Sequence, residues 1–407
     1  MHPRHTLAQP FVYATLTALA AFLAACGEDS APSDTNPDTI ENDTVESDTP
    51  ENDTVESDTS ENDTLESDTT DTETHETDTA APATFRFERL TVSGGTPVWG
   101  AIATHGYLIG GVTNAQNVVS TIATATLSEG TLTLTETGAT DLPRYCHCAF
   151  FDPTRDELVV LGGRGRTFAD AASSAVIDTS SWRSTPLADH TADDFPVGCV
   201  AFFSPLSDKG YVYGGLSTSR REFSPTTHRY DPTSRTFEPL TGAGPEARYD
   251  AAVHVLSDGD ALLFSGMGLD TTVTFYDDVW RFDAETETWS EVPTTGTRPP
   301  GRRYAWTALS PDETLLVFGY GSDSPTGNSV LDDLWSLDLT TNTWAPLPLD
   351  GERPSARGFA PNWQLPAEAL DRPDAVGLLG FGSDATLRVT SDVYLLVPPP
   401  RHAGLWR

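Results

Sequence analysis

Residues 248–292 read RYDAAVHVLSDGDALLFSGMGLDTTVTFYDDVWRFDAETETWSEV, and residues 303–347 read RYAWTALSPDETLLVFGYGSDSPTGNSVLDDLWSLDLTTNTWAPL. Each opens on an Arg-Tyr pair and runs through a short apolar stretch to a glycine. Each then passes an Asp-Asp-apolar-Trp group and ends on an Asp followed six residues later by Trp. Short runs of β-branched and aromatic residues alternate with turns rich in Pro, Gly, Asp, Ser and Thr, which is the pattern of four brief strands per unit.

Working outward, the same elements recur over residues 85–407. Apolar runs reach glycine at 110, 162, 214, 266, 319 and 380, giving steps of 52, 52, 52, 53 and 61. The Asp-to-aromatic lag appears as Asp231–Phe237, Asp283–Trp289 and Asp338–Trp344, with a shorter Asp178–Trp182. Arg144, Arg248, Arg303 and Arg357 each stand just before an apolar strand, and Tyr145, Tyr249 and Tyr304 follow three of them. Pro97 and Pro196 hold the aligned place in the first and third repeats. A unit of about 52 residues with four strands matches a propeller blade, whereas solenoid repeats are shorter and more helical. The spacing therefore predicts an all-β, six-bladed β-propeller.

The set of Arg strand, Gly-Gly, Asp-apolar-Trp and later Trp resembles the kelch repeat, and the likeness covers essentially all of 85–407. The resemblance implies a propeller of the kelch and galactose-oxidase superfamily. Its copper oxidase uses two tyrosines, two histidines and a Tyr–Cys link, and the scattered histidines here do not give that set. A six-bladed, exported sialic acid epimerase is a closer enzymatic comparison, but its match is architectural, and fold alone does not confer function.

The sequence also predicts how the ring closes. After Tyr394 only Leu395-Leu396-Val397 precedes three prolines, which cannot extend a hydrogen-bonded strand. A spare strand, Phe85-Arg86-Phe87-Glu88-Arg89-Leu90, precedes the first repeat, and its Phe87-x-x-Leu90 matches Phe237-x-x-Leu240. Segment 85–92 is expected to complete the last blade and remove an exposed edge.

The N-terminal 26 residues are an address. Arg4 precedes the apolar run from Phe11 to Ala25, which is a secretory signal, and Leu23-Ala24-Ala25-Cys26 resembles a bacterial lipobox. Residues 1–25 then form the signal peptide, and lipidated Cys26 anchors the chain to a membrane without a spanning helix. Gly27 in the second mature position favours the outer membrane or cell surface. Residues 26–84 form a tether. From Gly27 to Thr84 there are 58 residues, 20 acidic and none basic, with decamers such as ENDTVESDTP repeated. Such a segment cannot bury enough apolar surface to offset chain entropy and is expected to be disordered. It spans roughly 40–45 Å as a neutral coil and more with self-repulsion.

The whole chain of 407 residues carries a formal charge of −36. That argues against nucleic acid, whose binding needs a concentrated basic surface. No Gly-x-Ser-x-Gly, His-Glu-x-x-His or phosphate loop occurs, and no motif calls for a cofactor or a metal. Cys146, His147 and Cys148 fall one ligand short of a zinc site. Cys199 lies on the equivalent strand of the next repeat, so in an oxidising compartment it is expected to pair with Cys146 or Cys148.

Two readings of the arginines stay open. They hold loops by bonding carbonyls and acids, or they form a ring of guanidinium groups suited to carboxylates. In the second reading Arg144, Tyr145, Arg164, Arg248, Tyr249, Arg303, Tyr304 and Arg357 are the binding residues, with Trp99 and Trp306 as stacking surface. Asp250 and Asp277 are the acid–base candidates of a carbohydrate-active alternative. The expected function is a lipid-anchored, monomeric module that binds a protein or glycan at the propeller face.

Overall fold

The computed structural model describes residues 84–399, except 142, 167–172, 188–196, 218–221, 270–271, 364 and 366–370. The signal peptide, Cys26, all of the tether but Thr84, and the aligned Pro196 lie outside the described residues.

The described residues form strands and turns, with no helix among them. Five antiparallel meanders of four strands follow one another along the chain. The first is Ile102–Thr104, Tyr107–Ile109, Thr121–Ser128 and Thr131–Ala139. The second is Cys148–Asp152, Glu157–Leu161, Ala175–Asp178 and Arg183–Pro186; the third is Val200–Ser204, Lys209–Tyr213, Thr227–Asp231 and Thr236–Pro239. The fourth is Ala252–Val255, Ala261–Phe264, Val279–Asp283 and Thr288–Glu291. The fifth is Trp306–Leu309, Leu315–Gly319, Leu334–Asp338 and Thr343–Pro346. A final pair, Gly377–Gly380 and Val393–Val397, ends the described chain.

Strand Phe85–Gly94 joins both ends of this series. Arg86–Leu90 pairs antiparallel with Val393–Val397, with Phe87 opposite Leu396. Thr91–Gly94 then runs parallel to the outer strand of the first meander, opposite Thr131–Leu134. The cause is alternation: Phe85 and Phe87 are buried against the fifth meander while Arg86 between them is exposed, and Leu90, an odd step further on, is buried on the opposite face against the first meander. Phe87 packs edge-on to Tyr320 and Tyr394 and tilted against Trp306. Burying an aromatic of this size contributes on the order of 2–3 kcal/mol.

The acid–aromatic lag also has a physical origin. Asp178, Asp231, Asp283 and Asp338 end the third strands, and each carboxylate accepts from the backbone N–H groups two and three residues on. That cap fixes the hairpin, whose fourth strand then brings Phe237, Trp289 or Trp344 back over the sheet.

The repeat register differs from the spacing in the fifth meander and in the final pair. Backbone φ is positive at Gly110-Gly111, Gly162-Gly163 and Gly214-Gly215, and the same pair of angles falls on Ser265-Gly266, Tyr320-Gly321 and Phe381-Gly382. The structural repeat therefore uses Gly321 and Gly382, not Gly319 and Gly380. Gly319 remains within its strand opposite Leu334.

Candidate functional site

The second residue of each pair donates its backbone N–H to the residue that opens the next unit. Gly111 donates to the Arg144 carbonyl, Gly215 to Arg248, Gly266 to Arg302, Gly321 to Arg357, and Gly382 to Val98. This pattern corrects the sequence alignment, because the fifth repeat places Arg302, and not Arg303, in the arginine position. The sequence misleads there because Arg303-Tyr304 mimics Arg248-Tyr249, although Tyr249 and Arg303 hold the same bridging place, opposite Met267 and Ser322.

The repeat arginines then read uniformly. Arg248 donates to the Ser265 carbonyl at 3.0 Å and to both oxygens of Asp278. Arg302 does the same with Tyr320 at 3.0 Å and Asp333. Arg357 donates to Phe381 at 3.5 Å and pairs with Asp392 at 2.9 Å. Arg144 reaches Gly162 at 3.1 Å and Asp141 at 2.7 Å. Side-chain exposure is 0% for Arg248, Arg302 and Arg357 and 3% for Arg144.

Each arginine thus pins three segments of its own meander by its side chain and the previous meander by its carbonyl. The acidic pair and tryptophan of the motif complete the clamp: Asp278 and Asp333 also accept from the Trp280 and Trp335 ring N–H at 2.8 Å. Asp277, next to this acid, is exposed. An exposed ring of guanidinium groups is not formed by Arg144, Arg248 and Arg357, and the loop-holding reading accounts for them.

Two residues beyond each repeat arginine, a second chain of backbone bonds runs between the meanders. Cys146 donates to Gly100, Gly198 to Cys146, Asp250 to Gly198, and Tyr304 to Asp250, while Gly100 donates to Phe359. All six residues have positive φ, and only two are glycine: Cys146 is at 49°, Asp250 at 54°, Tyr304 at 52° and Phe359 at 55°. Left-handed backbone at a residue with a side chain costs on the order of 1–2 kcal/mol and persists only where the surroundings impose it. These side chains meet over a cavity of about 140 Å³ lined by Cys146, Asp250, Tyr304, Phe359 and Asn362.

Arg303 serves this cavity. It pairs with Asp250 at 2.7 Å and donates to the Tyr249 hydroxyl at 2.7 Å, to the Tyr304 hydroxyl and to the Pro325 carbonyl. Its guanidinium also lies over the Tyr249 and Tyr304 rings, 4.6 and 4.3 Å from the centroids. The Tyr249 and Tyr304 hydroxyls are 3.1 Å apart. Burial pushes the Asp250 carboxyl up to about 6, with Arg303 pulling it back, and pushes the Cys146 thiol up to about 12.

Arg164 is buried, and its backbone bridges Tyr145. Trp99, Tyr145, Tyr249, Tyr304 and Phe359 belong to one apolar cluster that seals this end of the cavity. Trp306 is fully buried and donates to the Leu378 carbonyl, so it offers no stacking surface. A disulfide joins Cys148 to Cys199, whose Cα atoms are 5.7 Å apart, and Cys146 is a buried free thiol.

Sequence reasoning missed Arg302, Phe359 and Asn362. A signal for Arg302 was present in the nearly matching lags from Arg248 to Asp278 and from Arg302 to Asp333, 30 and 31 residues.

Comparison with known proteins follows the same lines. Residues 176–361 match the KLHDC2/KLHL20/DRC7 Kelch-repeats domain. The chain is 30% identical over 147 residues to Kelch domain-containing protein 10 of Xenopus tropicalis, which is 34% of each chain. It is 27% identical over 216 residues to Kelch domain-containing protein 3 of Bos taurus, covering 50% of this chain and 54% of that protein. It is 27% identical over 230 residues to Acyl-CoA-binding domain-containing protein 4 of Arabidopsis thaliana, covering 54% of this chain and 32% of that protein. The chain thus spans between a third and about half of these relatives. The solved structure of YjhT superposes with a TM-score of 0.56 at 16% identity, covering 74% of this chain and 95% of that one, a likeness of fold. Residues 176–361 thus match a kelch-repeat family, and the four-stranded meanders with the YjhT superposition support a kelch-type β-propeller fold.

Proposed function

We propose that this protein is an exported, lipid-anchored, six-bladed kelch propeller that works as a binding module for a protein or glycan. The observation that carries the binding reading is the commitment of the axial charges to the scaffold. Arg248, Arg302, Arg303 and Arg357 are buried and spent on internal acids and carbonyls, so recognition falls to the loops and hairpin tips. Two bonds support closure of five meanders and the last pair into one ring of six. They run from Gly100 to the Phe359 carbonyl and from Gly382 to the Val98 carbonyl, linking the last unit back to the first.

The anchor rests on the sequence. An apolar run ending in Leu23-Ala24-Ala25-Cys26 precedes an acidic segment that serves as a spacer. A carbohydrate-active enzyme is the weaker reading, because Asp250, the carboxylate that lines the axial cavity among the described residues, is ion-paired with Arg303.

Two measurements test the proposal. Cys26→Ser should abolish metabolic lipid labelling and release the chain from membranes; unchanged labelling contradicts the anchor. The full chain probed on peptide and glycan arrays should retain a defined ligand class, and an array without any retained ligand contradicts the binding module.

A further inference from the structure

The inner strands of the meanders all run the same way along the axis. They start at the aromatic seal, at Gly100, Cys146, Gly198, Asp250 and Tyr304, and end some five residues later at another face. Two adjoining hollows open there, of about 320 and 510 Å³, and they share Val255 and Leu365. Phe151, Phe203 and Leu309 supply much of their wall. His105 stacks on Phe151 with ring centroids 4.5 Å apart.

The hairpin tips around this bowl carry exposed apolar groups: Pro153, Pro205, Pro311, and Leu206 at 60% exposure. The same tips carry acids, of which Asp156, Asp312 and Asp371 are exposed and not ion-paired to the arginines of the rim. The neighbouring cations are already spent: Arg155 on Asp152 and Asp208, Arg281 on Asp258 and Asp260, and Arg372 on Glu88 and Asp374.

We propose that this bowl, at the far end of the axis from the aromatic seal, is the docking surface for a cationic peptide segment bearing large apolar side chains. The claim rests on the binding-module reading and assigns it a surface and a partner chemistry. Apolar walls reward burial of bulky side chains. A rim of acids steers and registers a basic partner and repels an acidic one. Among the described residues the seal end does not offer this combination, since its aromatics are packed against each other and its Arg303 is consumed internally.

The probe is a nine-residue synthetic peptide alternating arginine with tryptophan or leucine, titrated into the full chain by fluorescence anisotropy. Two companion peptides replace every arginine by glutamate, or every apolar residue by serine. The first peptide should bind at least tenfold more tightly than either companion and weaken as salt rises. The combined change Asp156→Asn, Asp312→Asn and Asp371→Asn should weaken it several-fold, with the circular dichroism of the folded chain retained. Glu222→Lys, an exposed charge reversal on the seal side, should leave it unchanged. Equal binding of the three peptides overturns the inference, as does equal sensitivity to Glu222→Lys, and the peptide comparison on the unmutated chain decides the matter even if the triple variant does not fold. A ligand of other chemistry retained on the arrays, and indifferent to the rim, overturns this inference while leaving the binding module standing.

Discussion

Replacing Phe87 by alanine tests whether the N-terminal strand is part of the core or an appendage. Phe87 is 8% exposed and packs against Trp306, Tyr320 and Tyr394, all buried. The adjacent backbone is paired on one side to Val393–Val397 over five residues. Truncating a buried phenylalanine costs about 3–5 kcal/mol, because transfer free energy is lost and a cavity remains. For the 323 residues of 85–407, the unfolding entropy scales to about 0.7 kcal/mol/K, so the melting temperature should fall by about 4–7 °C. Arg86→Ala is the control: its side chain is 44% exposed and pairs only with Glu88, which is worth at most about 1 kcal/mol. The assay is thermal unfolding of the full chain by circular dichroism. A Phe87→Ala variant that melts within 1 °C of the parent refutes the placement of this strand in the core.

Arg302→Met should destabilise by about 2–4 kcal/mol, because it removes the fork onto the half-buried Asp333 and the Tyr320 carbonyl and leaves both without their partner; a urea titration showing under 1 kcal/mol sinks the clamp. Cys199→Ser opens a link between residues 51 apart, which chain entropy values at about 4 kcal/mol; equal denaturation midpoints of the variant and the oxidised parent would contradict the link. Asp250 predicts a pH dependence. Its folded pKa, about 6, lies above its ordinary 3.8, so the native state holds the proton more tightly. The contribution of this group is therefore largest below about 4 and is lost as pH rises through 6. The stability difference between the parent and Asp250→Asn should shrink from pH 4 to pH 7, and a difference that grows with pH refutes the burial argument.

Much of this architecture is legible in the sequence because it depends on short-range periodicity. Alternation at Phe85 and Phe87 fixes which face of that strand packs on the fifth meander, and Leu90 buries the other face nearer the first. The Asp-to-aromatic lag is a hairpin cap followed by a packing residue, both local. What escapes the sequence is set by contacts between repeats. Ser265 and Tyr320 take the left-handed position that Gly110 and Gly162 occupy elsewhere, so counting glycines drifts out of register. Two consecutive arginines at 302 and 303 divide two roles, and only the partners distinguish them: Asp333 for one, Asp250 for the other. The choice of Cys148 over Cys146 for Cys199 is likewise a matter of which face of the inner strand turns toward the next meander, with Cys148 and Cys199 in one cluster and Cys146 in the axial seal.

Amide hydrogen exchange over residues 85–92, read by mass spectrometry on the native full chain, tests ring closure most directly. The account predicts that Phe87 to Leu90 exchange as slowly as Val393–Val397, in the class that opens only with global unfolding. Exchange of 85–92 at the rate of an unstructured peptide, with Val393–Val397 still protected, would contradict it.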